Sequence, residues 1–158
     1  MTIAKHTSDF VGEVAKLYLI PSSYFETYPE TDSDFEVDFT EFSIKSGKNF
    51  ENIYFSPQSC NFQESQSIEN AGEIFNKDIS FRIPKNRSDV SMWMHLNKNR
   101  RWTAMVMTAD GSWYLVTKEL LLKYKRVWPD TSDKFNGWEV SITGKDKTAS
   151  PIVTGVTL

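Results

Sequence analysis

The chain holds a single cysteine, Cys60, in 158 residues. That excludes an internal disulfide and suits a reducing compartment, or a particle assembled in one. Histidine is nearly as scarce: His6 and His95 are the only two. Nucleophilic catalysis needs a base beside the nucleophile. His6 lies near the start of the chain and His95 in a helical stretch beside Met94. Nothing in the sequence supports a Cys60–His95 pair, so Cys60 reads as structural. No CxxC, HExxH, Walker-type loop or GxGxxG is present. No apolar run approaches about 18 residues, and the opening "MTIAKHTSDF" has no apolar core of the signal-peptide kind. A soluble cytosolic product is expected, with no membrane, no cofactor and no catalytic residue. Seven Gly and six Pro exclude fibrous and low-complexity classes.

Aromatic residues are plentiful, with eleven Phe, six Tyr and five Trp. They favour strands and large packed faces. One domain over 1–158 is expected, since a chain of this length buries about 68–70% of its unfolded surface. Extended N- and C-terminal arms would be compatible with it.

Charge is unevenly placed. Residues 1–75 hold thirteen acids and four bases, a balance of −9, while residues 76–158 hold eight acids and fourteen bases, a balance of +6. No positive side chain stands between Lys16 and Lys45, yet seven acids lie from Glu26 to Glu41. Within "SDFEVDFTEF", Asp34, Glu36 and Asp38 alternate with Phe35, Val37 and Phe39. The pattern predicts a strand with carboxylates on one face and apolar side chains on the other. Blocks of one sign often mark an interaction surface. The plainer alternative is that the two halves attract each other within one fold, or that the acids form a solvated face. The stretch shares composition with a calcium loop but lacks the central Gly and the twelfth-position Glu; a divalent cation there stays a minor alternative. Alternate acids on a strand stand about 7 Å apart, so spacing leaves paired-carboxylate hydrolysis open, while a third acid argues against it.

Most of the chain reads as strands. "VGEVAKLYLI" places Leu17 and Leu19 on one face and Val14, Tyr18 and Ile20 on the other. "DFEVDFTEFSI" slips phase after Phe39, which a bulge or bend near Thr40 and Glu41 would reconcile. "SGKN" predicts a hairpin turn, with "FENIYF" pairing back. "QSCNFQESQSIENAGEIF" predicts a strand leading into a loop. "EIFNKDISFRIP" predicts a long strand with Ile79, Phe81 and Ile83 inward, closed by Pro84. "RSDVSMWMHLN" is the one good helix, over 88–96, with Ser88 as N-cap, Asp89 in the first turn and Val90, Trp93, Met94 and Asn97 on one face. "RWTAMVMTADGSWYLV" predicts a hairpin turning at Asp110-Gly111. "LLLKYKRVWP" predicts a strand with Leu122, Tyr124, Arg126 and Trp128 on one side. "DTSDKFNG" reads as a loop, "WEVSIT" as a strand with Trp138, Val140 and Ile142 in phase, "GKDKTASP" as a loop, and "IVTGVTL" as a β-prone tail. The sum is a mainly β fold, a β-sandwich or barrel with one short helix. The basic stretch "NKNRRW" could touch phosphates, but reads first as a solvated turn. Trp102, Trp113 and Trp138 have apolar neighbours and read as core rather than as a carbohydrate platform.

The segment from Asn70 onward, with its strand closing on "RIPK", short helix, "NRRW" turn, "ADGSW" hairpin and late "NGWEVSITGK", resembles a family of small proteins encoded by phages and prophages of Bacteroidetes. The matching elements are residues 82–85, 88–96, 99–102, 109–113 and 136–145, and the resemblance covers roughly 70–153. The first third matches only as a short strand ending "LIP", and residues 118–128 are longer and more apolar than the family pattern. The resemblance implies a tail-tube-like virion subunit, a β-sandwich forming a sixfold tail ring or a twelvefold neck ring through which DNA passes, assembled in the host bacterial cytoplasm beside other tail or neck proteins. On that reading Asp34, Glu36, Asp38 and Glu41 are candidates to face the lumen, where negative charge would repel phosphates. Arg100, Arg101, Lys123, Lys125 and Arg126 are candidates to meet the acidic half of a neighbour across a heterologous contact. The alternative class is a monomeric β-sandwich binding or decoration module for carbohydrate or a protein partner, with an enzyme third.

Overall fold

The computed structural model describes residues 13–128 and 135–158. In chain order its elements are β1 (Val14–Pro21), β2 (Phe25–Thr27), β3 (Glu36–Asp38), β4 (Ser43–Ile44), β5 (Glu51–Asn52), β6 (Asn61–Glu69), β7 (Gly72–Pro84), α1 (Ser88–Asn97), β8 (Arg101–Thr108), β9 (Trp113–Leu115), β10 (Leu120–Val127), β11 (Gly137–Asp146) and β12 (Ile152–Thr154). Ten strands form one sheet, in the order β3-β12-β9-β8-β10-β11-β7-β6, with β1 and β5 on the other edge of β8; β2 and β4 form a separate pair. Among the described residues the fold is mainly β, of sandwich type, with one short α-helix. His6 and most of the loop expected at 130–137 lie outside the described residues.

The turn of the sheet occurs at β8. Its inner end, Met105 to Met107, pairs with β9, while Trp102 and Arg101 pair with Leu120 and Leu121 of β10. One edge of β8 thus serves two strands, and β10 leaves it to start the β10-β11-β7-β6 half. The two halves enclose the main core. Leu17, Leu19, Trp102, Ala104 and Val106 from one half meet Leu120, Leu122, Trp138, Val140, Ile142, Ile79, Phe81 and Ile83 from the other. The helix adds Val90 and Met94.

Alternation explains most of this core, since side chains two apart share a face. β7 carries Ile79, Phe81 and Ile83 inward, as expected, and β11 opposes them with Ile142, Val140 and Trp138 in direct register. Gly137 has φ +156, and a Cβ there would come within 2.2 Å of the Ile83 carbonyl oxygen. Only glycine lets β11 start so close to β7. In the hairpin after β8, Asp110 Oδ1 accepts from the Thr108 hydroxyl and from Ser112 N–H at 3.1 Å. Gly111 supplies the positive φ of +89.

Several expectations need correction. Val14 packs in the main core with Leu17 and Leu19 rather than opposite them. The register of β1 on β8 shifts between Val14 and Lys16, and such a bulge swaps the face of every residue before it. Residues 50–55 do not pair back on the preceding strand; β5 pairs β1 and β4 pairs β2. The turn at 45–48 does form, with Gly47 at φ +74 and Lys48 N–H donating to the Lys45 carbonyl. The polar stretch 61–69 is one unbroken strand in hairpin register with β7, from Asn61 opposite Ser80 to Glu69 opposite Gly72. Ser88 is the first helical residue and Arg87 holds the cap position without a side-chain bond; Arg87 instead pairs with Asp89 at 3.4 Å. The helix face is as expected, with Val90, Met94 and Asn97 buried.

Candidate functional site

The acidic stretch does not fold as one continuous strand. Phe35 has φ +67, a left-handed conformation unusual for a bulky side chain. It breaks the extended backbone just before β3. Asp32 Oδ1 stabilises the kink by accepting the backbone N–H groups of Asp34 and Glu36, each at 2.9 Å. Asp34 therefore sits in a turn, and only Glu36 and Asp38 alternate on β3 itself. Phe35, expected to point at the core, is 46% exposed, while Val37 between the two acids is buried.

A 3-10 turn over Phe39–Glu41 follows, at the place where the phase slip called for a bend. Asp38 caps it: Thr40 donates its N–H at 2.9 Å and its hydroxyl at 2.8 Å to Asp38 Oδ1. These bonds hold the Asp38 carboxyl below its usual range. Phe39, Phe42 and Phe50 turn inward and pack with Phe25 and Tyr28, Phe39 to Phe42 at 5.0 Å and Phe25 to Tyr28 at 5.3 Å between ring centroids. The aromatic residues thus anchor the arm 22–50 to the sheet, and the carboxylates are left on its outer side. Among the described residues, none of the seven acids from Glu26 to Glu41 makes an ion pair. β3 pairs on one side only, with β12, in parallel register, so this acidic strand ends one end of the main sheet path.

β6 ends the other. It is mostly exposed along its nine residues and pairs only with β7. Next to it, the outer face of the β10-β11-β7 layer is polar. Lys125, Glu139 and Arg82 stand in one cross-strand row, and Lys123, Ser141 and Ser80 in the next. Arg82 pairs with Glu139 at 3.2 Å and lies over the Phe135 ring at 5.1 Å. Lys123 and Lys125 are exposed and, among the described residues, have no ion-pair partner. With residues 56–59 this face forms an open groove of about 910 Å³.

The remaining basic candidates are scattered. Arg100 donates to the Tyr24 hydroxyl at 3.4 Å from an exposed turn, and Arg101 lies 3.9 Å from Glu119. Arg126 is engaged within the chain. It donates to Asn86 Oδ1 and Ser91 Oγ, each at 3.0 Å, and its guanidinium lies over Trp128 and Trp138 at 4.7 and 4.9 Å. Lys123 and Lys125 alternate with Tyr124 and Arg126 and so face the opposite side of β10.

Cys60 is buried in the main core, and burial pushes its thiol up to about 12, which keeps it protonated at neutral pH; His95 is exposed on α1. Among the described residues, no three His, Cys, Asp or Glu side chains converge as a metal-binding group. Trp102 and Trp138 are buried in the core, and Trp113 packs against Tyr18 at 5.6 Å. No helix among the described residues is long and apolar enough to cross a membrane. Sequence reasoning missed the cluster around Lys77, a lysine whose side chain is 1% exposed between Glu64 and Asp146. The signal was there to find: Lys77 has the same parity as Ile79, Phe81 and Ile83.

Comparison with known proteins finds no matching family model, no matching curated protein and no matching solved structure.

Proposed function

We propose that this chain is a ring-forming structural subunit of a phage particle, of tail-tube or neck type, whose acidic edge lines a channel for DNA. The observation that supports this reading is a main sheet path open at two unlike ends: the three-residue β3, whose acids have no ion-pair partner among the described residues, and the nine-residue β6, whose Glu64 and Glu69 pair with Lys77 and Lys145. An unpaired strand edge is a template for another chain. Two unlike edges favour head-to-tail contacts, which close into rings. The acids at the β3 end have no ion-pair partner within the described residues, and so are free to present negative charge to passing phosphates or to a neighbour's Lys123 and Lys125. Glu36 and Asp38 belong to the strand, with Asp34 and Glu41 in the flanking turns. A monomeric binding or decoration module is the second reading, favoured by the open groove beside Lys123, Lys125 and Phe135.

Native mass spectrometry and negative-stain imaging of the purified chain separate the two. Rings of six or twelve copies are expected, and monomer alone at high concentration overturns the ring reading. A variant carrying Asp34→Lys, Glu36→Lys and Glu41→Lys keeps the Asp38 cap intact. It should still assemble but retain DNA at low salt and release it at high salt, because phosphate contacts are screened. Rings whose acids lie on the outer wall, or that retain no DNA after this change, overturn the channel-lining role alone.

A further inference from the structure

Lys77 lies on the inward face of β7, two residues before Ile79, with Glu64 of β6 directly opposite on one side and Gly144 of β11 on the other. Its Nζ stands 3.6 Å from Glu64 Oε2 and 3.8 Å from Asp146 Oδ2. Both distances allow charge attraction, and both exceed hydrogen-bonding range. An ammonium has three donors to satisfy, and burying one costs several kcal/mol unless its geometry is good. As a plain ion pair this is a poor arrangement. Burial also lowers the pKa of the amine, against the pull of Glu64 and Asp146, so its neutral, nucleophilic form is more accessible than that of a surface lysine.

The two carboxylates are held differently. Glu64 Oε2 accepts the backbone N–H of Ser150 at 3.0 Å and its hydroxyl at 2.6 Å. These bonds fix the Glu64 carboxylate in place beside the amine, where a proton carrier has to stand. Asp146 accepts on Oδ1 only, from the Lys147 N–H at 2.7 Å, which leaves Oδ2 on the lysine's side. A donor on one oxygen and an amine facing the other is the arrangement for attack at the carbon between them.

The geometry points to an amide crosslink between Lys77 and Asp146, formed with Glu64 as proton carrier. The ammonium gives one proton to Asp146, whose carboxyl becomes neutral. The Nζ lone pair then attacks Cγ, with the developing charge on Oδ1 met by the Lys147 N–H. Glu64 takes a second proton from Nζ and delivers it to Oδ2, which leaves as water. One C–N bond forms, one C–O bond breaks, and Glu64 is restored. The ammonium and the carboxylate together hold every atom of the amide and of the water released, so no other reactant is needed. A small side-chain rotation brings the reacting atoms to the roughly 3–3.5 Å that such steps require. The product removes the buried ammonium and ties the end of β11 to the middle of β7.

Intact mass of the purified, denatured full chain tests this. The expected mass is one water below that of the sequence, and a proteolytic digest should yield a branched peptide joining Lys77 to Asp146, with no cleavage by trypsin after Lys77. Glu64→Gln and Asp146→Ala should each restore the unbridged mass for their sequence. A wild-type chain at full sequence mass overturns the proposal, and a branch to Glu64 in place of Asp146 overturns the assigned roles. The measurement is indifferent to ring formation.

Discussion

The β1-β8 layer is covered on both faces, and the two covers are built differently. On one face Leu17, Leu19, Ala104 and Val106 meet the second half of the sheet, whose strands run eight to thirteen residues and pair in long unbroken register. On the other face Tyr18, Met105, Leu115 and Val153 lie beneath the arm 22–50, which adds Val37 to the same cluster. Its strands are two or three residues long. Phenylalanine and tyrosine rings do the packing there, at tilted or edge-on angles and 5.0 to 6.5 Å apart. A long ladder fixes backbone and side chains together, so a core against it is specified residue by residue. An arm held by ring packing and one three-residue strand pairing needs little more than apolar area facing inward, and its outward positions are free to carry any charge. That is where the acids are.

Three substitutions test this contrast. Trp102→Ala removes a fully buried ring that stacks on Trp93 at 5.6 Å and should cost about 3–5 kcal/mol in denaturant unfolding. Phe42→Ala removes a half-buried ring from the arm and should cost roughly half as much, about 2 kcal/mol. If Phe42→Ala matched Trp102→Ala, the arm would be as integral to folding as the ladder core, and the contrast would fail. The smallest effect belongs to Asp38→Ala. Because the folded state depresses the Asp38 carboxyl, its contribution is present above the ordinary carboxyl value of 3.8 and lost as pH falls through the lower folded value. The difference in unfolding midpoint between wild type and Asp38→Ala should therefore be present at neutral pH and shrink in acid. A difference independent of pH would mean that the carboxylate cap is not its source.

Where local pattern and partner agree, the sequence could be read. The strand through Ile79, Phe81 and Ile83, the helix face of Val90 and Met94, the Asp110-Gly111 hairpin and the strand through Trp138, Val140 and Ile142 all occur as their periodicity and turn chemistry indicate. The two strands have long neighbours that hold them extended, and the hairpin turn is fixed by the bonds of Asp110 within its own segment. The arm lacks such a neighbour. "DFEVDF" alternates as cleanly as any strand, but its partner β12 supplies three residues of pairing. Alternation shows that a segment can be extended, not how long a partner keeps it so. The left-handed Phe35, the Asx turn at Asp32 and the cap at Asp38 override the pattern on either side.

By itself the sequence determined a mainly β fold with one helix, an inward set of aliphatic and indole side chains, and a division of charge between the two halves. These follow from period, turn residues and composition, which are local or additive. Tertiary structure alone decided the rest. It moved Val14 to the other face through a bulge, joined β12 to β3 in parallel, and spread the aromatic arm over the second face. It also brought Glu64, Lys77 and Asp146 together from three neighbouring strands. Those outcomes depend on which distant backbone groups satisfy each other's hydrogen bonds, and no window of local sequence carries that information.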